Sequence, residues 1–242
     1  MVAALPLALV VALVAEDQAA LRAAARDSAP RQAELWRGDW LEIRGRDGDF
    51  LQVYDHRRER PGYVRTWQVR TYPVEAASAP ALRTVVVFLR DAPGFESLGL
   101  GAAALFLKAA PAAEVAAASD VYDALGVMAD RLARRASRAR ARPGSQLDRT
   151  LSAHLEVAAS YGVRLVTLET PGGQTVCYDG EAFRRVLAVS HDPAERARAA
   201  LGLTPLRCLD PHAAVAAVRA WNEWRRAVLD RVDPAAAPAP RG

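Results

Sequence analysis

From Glu34 to Arg70 the chain runs in short alternations of apolar and polar residues broken by turn-forming clusters, and no other feature constrains its fold as tightly. Leu41 and Ile43 alternate with Trp40, Glu42 and Arg44, and Leu51 and Val53 repeat the pattern. A period of two is that of a strand with one buried face. Between them Gly45-Arg46-Asp47-Gly48-Asp49 is rich in residues that accept positive φ or bond their own backbone, so a hairpin is expected there. A second turn is expected at Arg60-Pro61-Gly62, after which Tyr63-Val64-Arg65 resumes the alternation.

Gly62-Tyr63-Val64 is similar to the Gly-aromatic-Val step before the last strand of bacterial SH3-like domains, and Trp36-Arg37-Gly38-Asp39 resembles their Lys-Gly-Asp turn. Leu21-Arg22-Ala23 through Pro30 is similar to their first strand and long first loop, so the resemblance covers about residues 18–72. It implies a small all-β SH3-like barrel at 16–72 that binds peptidoglycan or an envelope protein partner. With Leu41, Ile43, Leu51, Val53 and Val64 facing inward, alternation puts Trp40, Phe50, Tyr54 and Tyr63 outside. Together with Trp67 these are the candidate ligand-binding residues, suited to stack on sugar rings or an extended peptide, or else to be covered by the rest of the chain. Where SH3 domains that take proline-rich peptides carry a late tyrosine, this chain has Gln68, so the resemblance does not imply a proline-rich ligand.

Val2 to Ala15 is a run without charge, too short to span a bilayer, and suits the apolar region of a secretory leader at 1–15 cut after Ala15. The basic start of such a leader is missing, and the alternative is a buried first helix or strand. Two cysteines in an exported chain of 242 residues lead us to expect a Cys177–Cys208 disulfide and a periplasmic or secreted location. Pairing of Cys177 as a nucleophile with His154, His191 or His212 stays open on sequence grounds.

Beyond a linker at 73–80 the spacing predicts a mostly α-helical domain over 81–232 with one β-hairpin, and then a disordered Pro/Ala tail at 233–242. Leu82, Val85, Val86 and Leu89 fall at helical spacing, although Val85-Val86-Val87 also suits a strand. Val121, Leu125, Met128 and Leu132 form a second stripe. The hairpin is expected from Val163–Glu169, a turn at Thr170–Gln174, and Thr175–Tyr178, with helices following from Asp179, from Asp192-Pro193, and from Pro211 to Val232. Arg131 to Arg142 holds six arginines and no acid. We read it as a helix end whose cations suit the negative pole, running into a linker near 131–146. Its alternative is contact with lipid phosphate or cell-wall glycan; at a net charge of only +4, nucleic acid is not expected as a partner.

Signatures of chemistry are weak. Gly99-Leu100-Gly101-Ala102-Ala103-Ala104 fits a dinucleotide pattern, but Phe95–Leu98 reads as a helix opening, so close helix packing explains the small residues better. Ser190-His191-Asp192 is adjacent in sequence and cannot form a relay, and the four histidines lack metal-ligand spacing. No catalytic residue, metal or cofactor is therefore expected. The expected function is a non-enzymatic binding or adaptor protein of the envelope, with a cell-wall hydrolase targeted by the barrel as the alternative.

Overall fold

The computed structural model describes residues 9–140, 143–170 and 173–236. Seven strands come first: β1 (Val10–Val14), β2 (Ala19–Arg22), β3 (Arg31–Leu35), β4 (Trp40–Asp47), β5 (Phe50–Asp55), β6 (Arg60–Arg65) and β7 (Val69–Pro73). They form one antiparallel sheet in the order β3-β2-β6-β5-β4-β1-β7. Among the described residues no pairing joins β3 to β7, so the ladder is open where a closed barrel was expected.

The rest is mostly helical, as the spacing predicts: α1 (Ala79–Arg90), α2 (Glu96–Ala109), α3 (Ala112–Ala117), α4 (Ser119–Ala139), α5 (Gln146–Ser160), α6 (Glu181–Val189), α7 (Pro193–Leu203) and α8 (Val215–Leu229). The expected hairpin lies between α5 and α6 as β8 (Leu165–Thr170) and β9 (Gly173–Tyr178), while Pro171 and Gly172 of its turn lie outside the described residues. Among the described residues no helix is long and apolar enough to cross a membrane.

β1 departs most from expectation. It lies between β4 and β7, with Leu13 opposite both Trp40 and Arg70. Ala12 and Val14 join Leu21, Leu41, Val53 and Val64 in the core on one side of the sheet, while Val11 and Leu13 pack with Leu82, Val86, Leu100 and Phe106 on the other. A strand covered on both faces has no polar side, which is why this run carries no charge. The stretch expected as a leader thus supplies an interior strand next to the β7 edge, and a cut after Ala15 would remove it; residues 2–8 of that stretch lie outside the described residues.

The first hairpin turns within the expected stretch, and the second turn differs from the reading of the sequence. Strand pairing continues to Asp47 and Phe50, leaving Gly48 (φ +57°) and Asp49 as the hairpin connection. The next turn is at 56–59, because the Asp55 carboxylate accepts the N–H groups of Arg57 (3.0 Å) and Arg58 (3.2 Å) and fixes the chain there. Pro61 and Gly62 belong to β6 instead. A Cβ at Gly62 would come within 2.6 Å of Leu21, so glycine serves close approach and not a turn.

Helix α4 continues to Ala139, so most of the arginine run is helix and not linker, and Arg142 lies outside the described residues. Gly99 and Gly101 sit inside α2, where added Cβ atoms would meet Met128 at 2.2 Å and the Gly38 carbonyl at 2.7 Å. Close packing accounts for them. Helix α8 is shorter than the expected 211–232 and buries none of its residues. Of the tail, residues 234–236 form a 3-10 turn and 237–242 lie outside the described residues.

Cys177 on β9 and Cys208 in the turn after α7 are bonded, S–S 2.08 Å, across 31 residues. Trp221 and Trp224 of α8 line one cleft with both cysteines, so the bond lies beside α8. Replacing both cysteines by serine is expected to cost about 3–4 kcal/mol by loop-closure entropy. A lowered urea midpoint, with a slope equal or steeper because the uncrosslinked unfolded chain exposes more surface, would show it, and an unchanged midpoint would exclude it.

Candidate functional site

The Trp36–Asp39 turn joins the sheet to the helices. Gly38 takes φ +94°, and a Cβ there would lie 2.4 Å from the Ser97 carbonyl oxygen, so only glycine lets the turn touch α2. The hydroxyl of Ser97 donates to the Arg37 carbonyl at 2.6 Å. Arg37 in turn donates to the carbonyls of Ala15 (3.1 Å) and Gly94 (3.0 Å) and lies over the Phe95 ring. Trp40, expected outside, donates from Nε1 to the Gly101 carbonyl at 3.2 Å and stacks on Tyr161, whose hydroxyl donates to the Gly38 carbonyl. The helical domain covers it.

Asp17 and His154 complete this joint at 2.6 Å. Burial alone would raise the Asp17 carboxyl, but the hydrogen bond and charge of His154, with Arg37, hold it below its ordinary range. For Asp39 the balance goes the other way. Burial outweighs Arg57 and Arg58 and pushes its carboxyl up. His154 Nδ1 is buried without a partner, and no serine or cysteine is bonded to this histidine among the described residues. The open pairing of Cys177 as a nucleophile is overturned, since its sulfur is in the disulfide.

The remaining predicted aromatics do not converge. Phe50 is 4% exposed, contrary to expectation, because Arg65 lies opposite it on β6 and roofs its ring at 4.2 Å. Tyr54 is half-buried beneath Arg44, with His56 edge-on to it. Tyr63 is half-buried opposite Arg22. Only Trp67, in the turn between β6 and β7, stands free, at 63% exposure.

Trp67 borders a groove of about 410 Å³ whose other walls include Gln18, Arg22, Asp27, Arg31, Arg65 and Gln68. Three arginines and one carboxylate line it, with Glu34 and Asp49 pairing Arg31 and Arg65 from outside the lining. Each is held: Arg22 donates to the Ala29 carbonyl (3.0 Å), Arg31 to Gln18 and Glu34, and Arg65 to Asp27 and Asp49. The Arg65 hydrogen bond holds the Asp27 carboxyl below its ordinary range. Such a surface can hold an anion by charge and a ring or peptide plane by stacking on the indole. The sequence reading found the tryptophan but missed the arginines, because nothing separates these three from the many others in the chain. No family model, curated protein or solved structure matches this chain.

Proposed function

We propose that this protein is an exported, non-enzymatic binding or adaptor protein of the bacterial envelope that keeps β1 in its mature form. In this reading the sheet is an opened SH3-like module, and the Trp67 groove takes an acidic, extended ligand such as the stem peptides of peptidoglycan. The observation that carries it is an exposed tryptophan beside three positioned guanidinium groups. Carboxylates of a stem peptide would pair with Arg22 and Arg31 while a sugar or peptide plane lies on the indole. The Cys177–Cys208 bond supports an oxidising compartment.

Co-sedimentation with purified peptidoglycan tests the reading. Trp67→Ala is expected to weaken binding about tenfold, or ~1.4 kcal/mol, with an unchanged unfolding temperature, since the side chain is mostly in solvent. Arg31→Ala is expected to flatten the salt dependence. Failure of the wild-type protein to sediment, or equal affinity of Trp67→Ala, would overturn it.

A further inference from the structure

A second cleft shares no residue with the Trp67 groove. It opens between α4 and α6 and holds about 380 Å³, within the range of small-molecule sites. Val115 and Leu125 line one part of it, and Tyr122 from α4, Tyr161 from the end of α5 and Tyr178 from β9 line another, with Arg185 over the Tyr122 ring and Trp40 against Tyr161. These rings are held in place. Tyr161 donates to the Gly38 carbonyl, and the Tyr178 oxygen accepts the Ala182 N–H at 2.8 Å. Burial pushes both phenols above their ordinary range. The Tyr178 hydroxyl proton has no acceptor among the described residues, which leaves one donor for a guest.

The rim adds a charge. Arg185 lies over the Tyr122 ring at 5.4 Å and donates from Nε to Glu181 at 3.3 Å. Its two terminal nitrogens have no partner among the described residues. Glu181 is shared with Arg184 at 3.2 Å, so the acid at this rim is already engaged by two cations and does not invite a third. Fixed aromatic walls favour a planar guest, which can meet them edge-on or offset, over a flexible chain that must be ordered to fit. The unpaired end of a guanidinium favours a carboxylate.

We propose that this cleft binds a small aromatic carboxylate, its ring among Tyr122, Tyr161 and Tyr178 and its carboxylate on Arg185. The site does not depend on the Trp67 groove or on the envelope assignment. Calorimetric titration of the intact protein with 2-naphthoate is expected to show saturable binding of one equivalent. Arg185→Gln, at a side chain 56% exposed and safe for the fold, should weaken 2-naphthoate about tenfold while leaving neutral 2-naphthalenemethanol unaffected. Val115→Phe adds a ring to the cleft from a half-buried position and should remove binding of both probes at an unfolding temperature close to wild type. Trp67→Ala should leave both titrations unchanged, so loss of peptidoglycan binding and loss of this site are read separately. Absence of saturable binding up to the probe's solubility, or binding that Arg185→Gln and Val115→Phe both leave intact, would overturn the proposal.

Discussion

A chain beginning at Glu16 is expected not to fold. It lacks β1, and with it Val11, Leu13 and Val14, none more than 4% exposed. Burying an aliphatic side chain of this kind is worth ~1.5–3 kcal/mol, so three together contribute about 5–9 kcal/mol, comparable to the whole net stability of a typical domain. The loss reaches further, because among the described residues β1 is the strand that pairs with β7, and it sends side chains into both cores. Without it β4 becomes an edge whose backbone N–H and C=O groups toward the lost strand, from Trp40 to Glu42, are unpaired, the kind of surface that aggregates. Near-ultraviolet circular dichroism and urea unfolding of residues 16–242 beside the full chain would test this. A cooperative transition with the native midpoint would show that β1 is dispensable, as a leader cut after Ala15 requires. Leu13→Ala is the graded form, expected to cost ~2–5 kcal/mol through the cavity it leaves between sheet and helices.

The same strand shows where sequence reasoning reached its limit. Period-two alternation exposed β4 and β5 because one face of each meets polar surroundings along much of its length. β1 has no such contrast, and an uncharged run of its length reads equally as a leader or as a doubly covered strand. Pro61-Gly62 is the stronger turn signal by composition, yet the chain turns at 56–59, where one carboxylate gathers two backbone N–H groups. The helices were legible from their apolar stripes, and the disulfide from the cysteine count, because neither needs tertiary detail. The sites were barely legible. Trp67 stood out as an aromatic, but its arginines come from β2, β3 and β6, and the tyrosine cleft is assembled from α4, the end of α5 and β9. Only packing brings such sets together.

The arginine run likewise changes meaning once Glu96 is seen beneath it. Glu96 opens α2 with a side chain wholly out of solvent, accepting from Gly94 N–H at 3.0 Å, from Arg131 Nε at 2.6 Å and from Arg135. Arg131 also donates to the Arg90 carbonyl at 2.8 Å, so one guanidinium ties the end of α1 and the start of α2 to α4. Burial by itself would raise the Glu96 carboxyl, but backbone N–H groups and the two guanidinium groups hold it below the usual 4.5. Glu96→Ala would leave both cations half-buried with nothing to neutralise them, and is expected to cost ~3–5 kcal/mol, since breaking one side of a buried ion pair strands the other. Glu96→Gln keeps the shape and the acceptor for Gly94 and should cost less. Because the folded pKa is depressed, the contribution of the charge is fully present above 4.5 and disappears as pH falls through the folded value. The gap in urea midpoint between wild type and Glu96→Gln should therefore be widest near neutral pH and narrow on acidification to about pH 3. A gap of constant size would show that the charge is not what the two arginines stabilise, and would leave Glu96 with a role in shape alone.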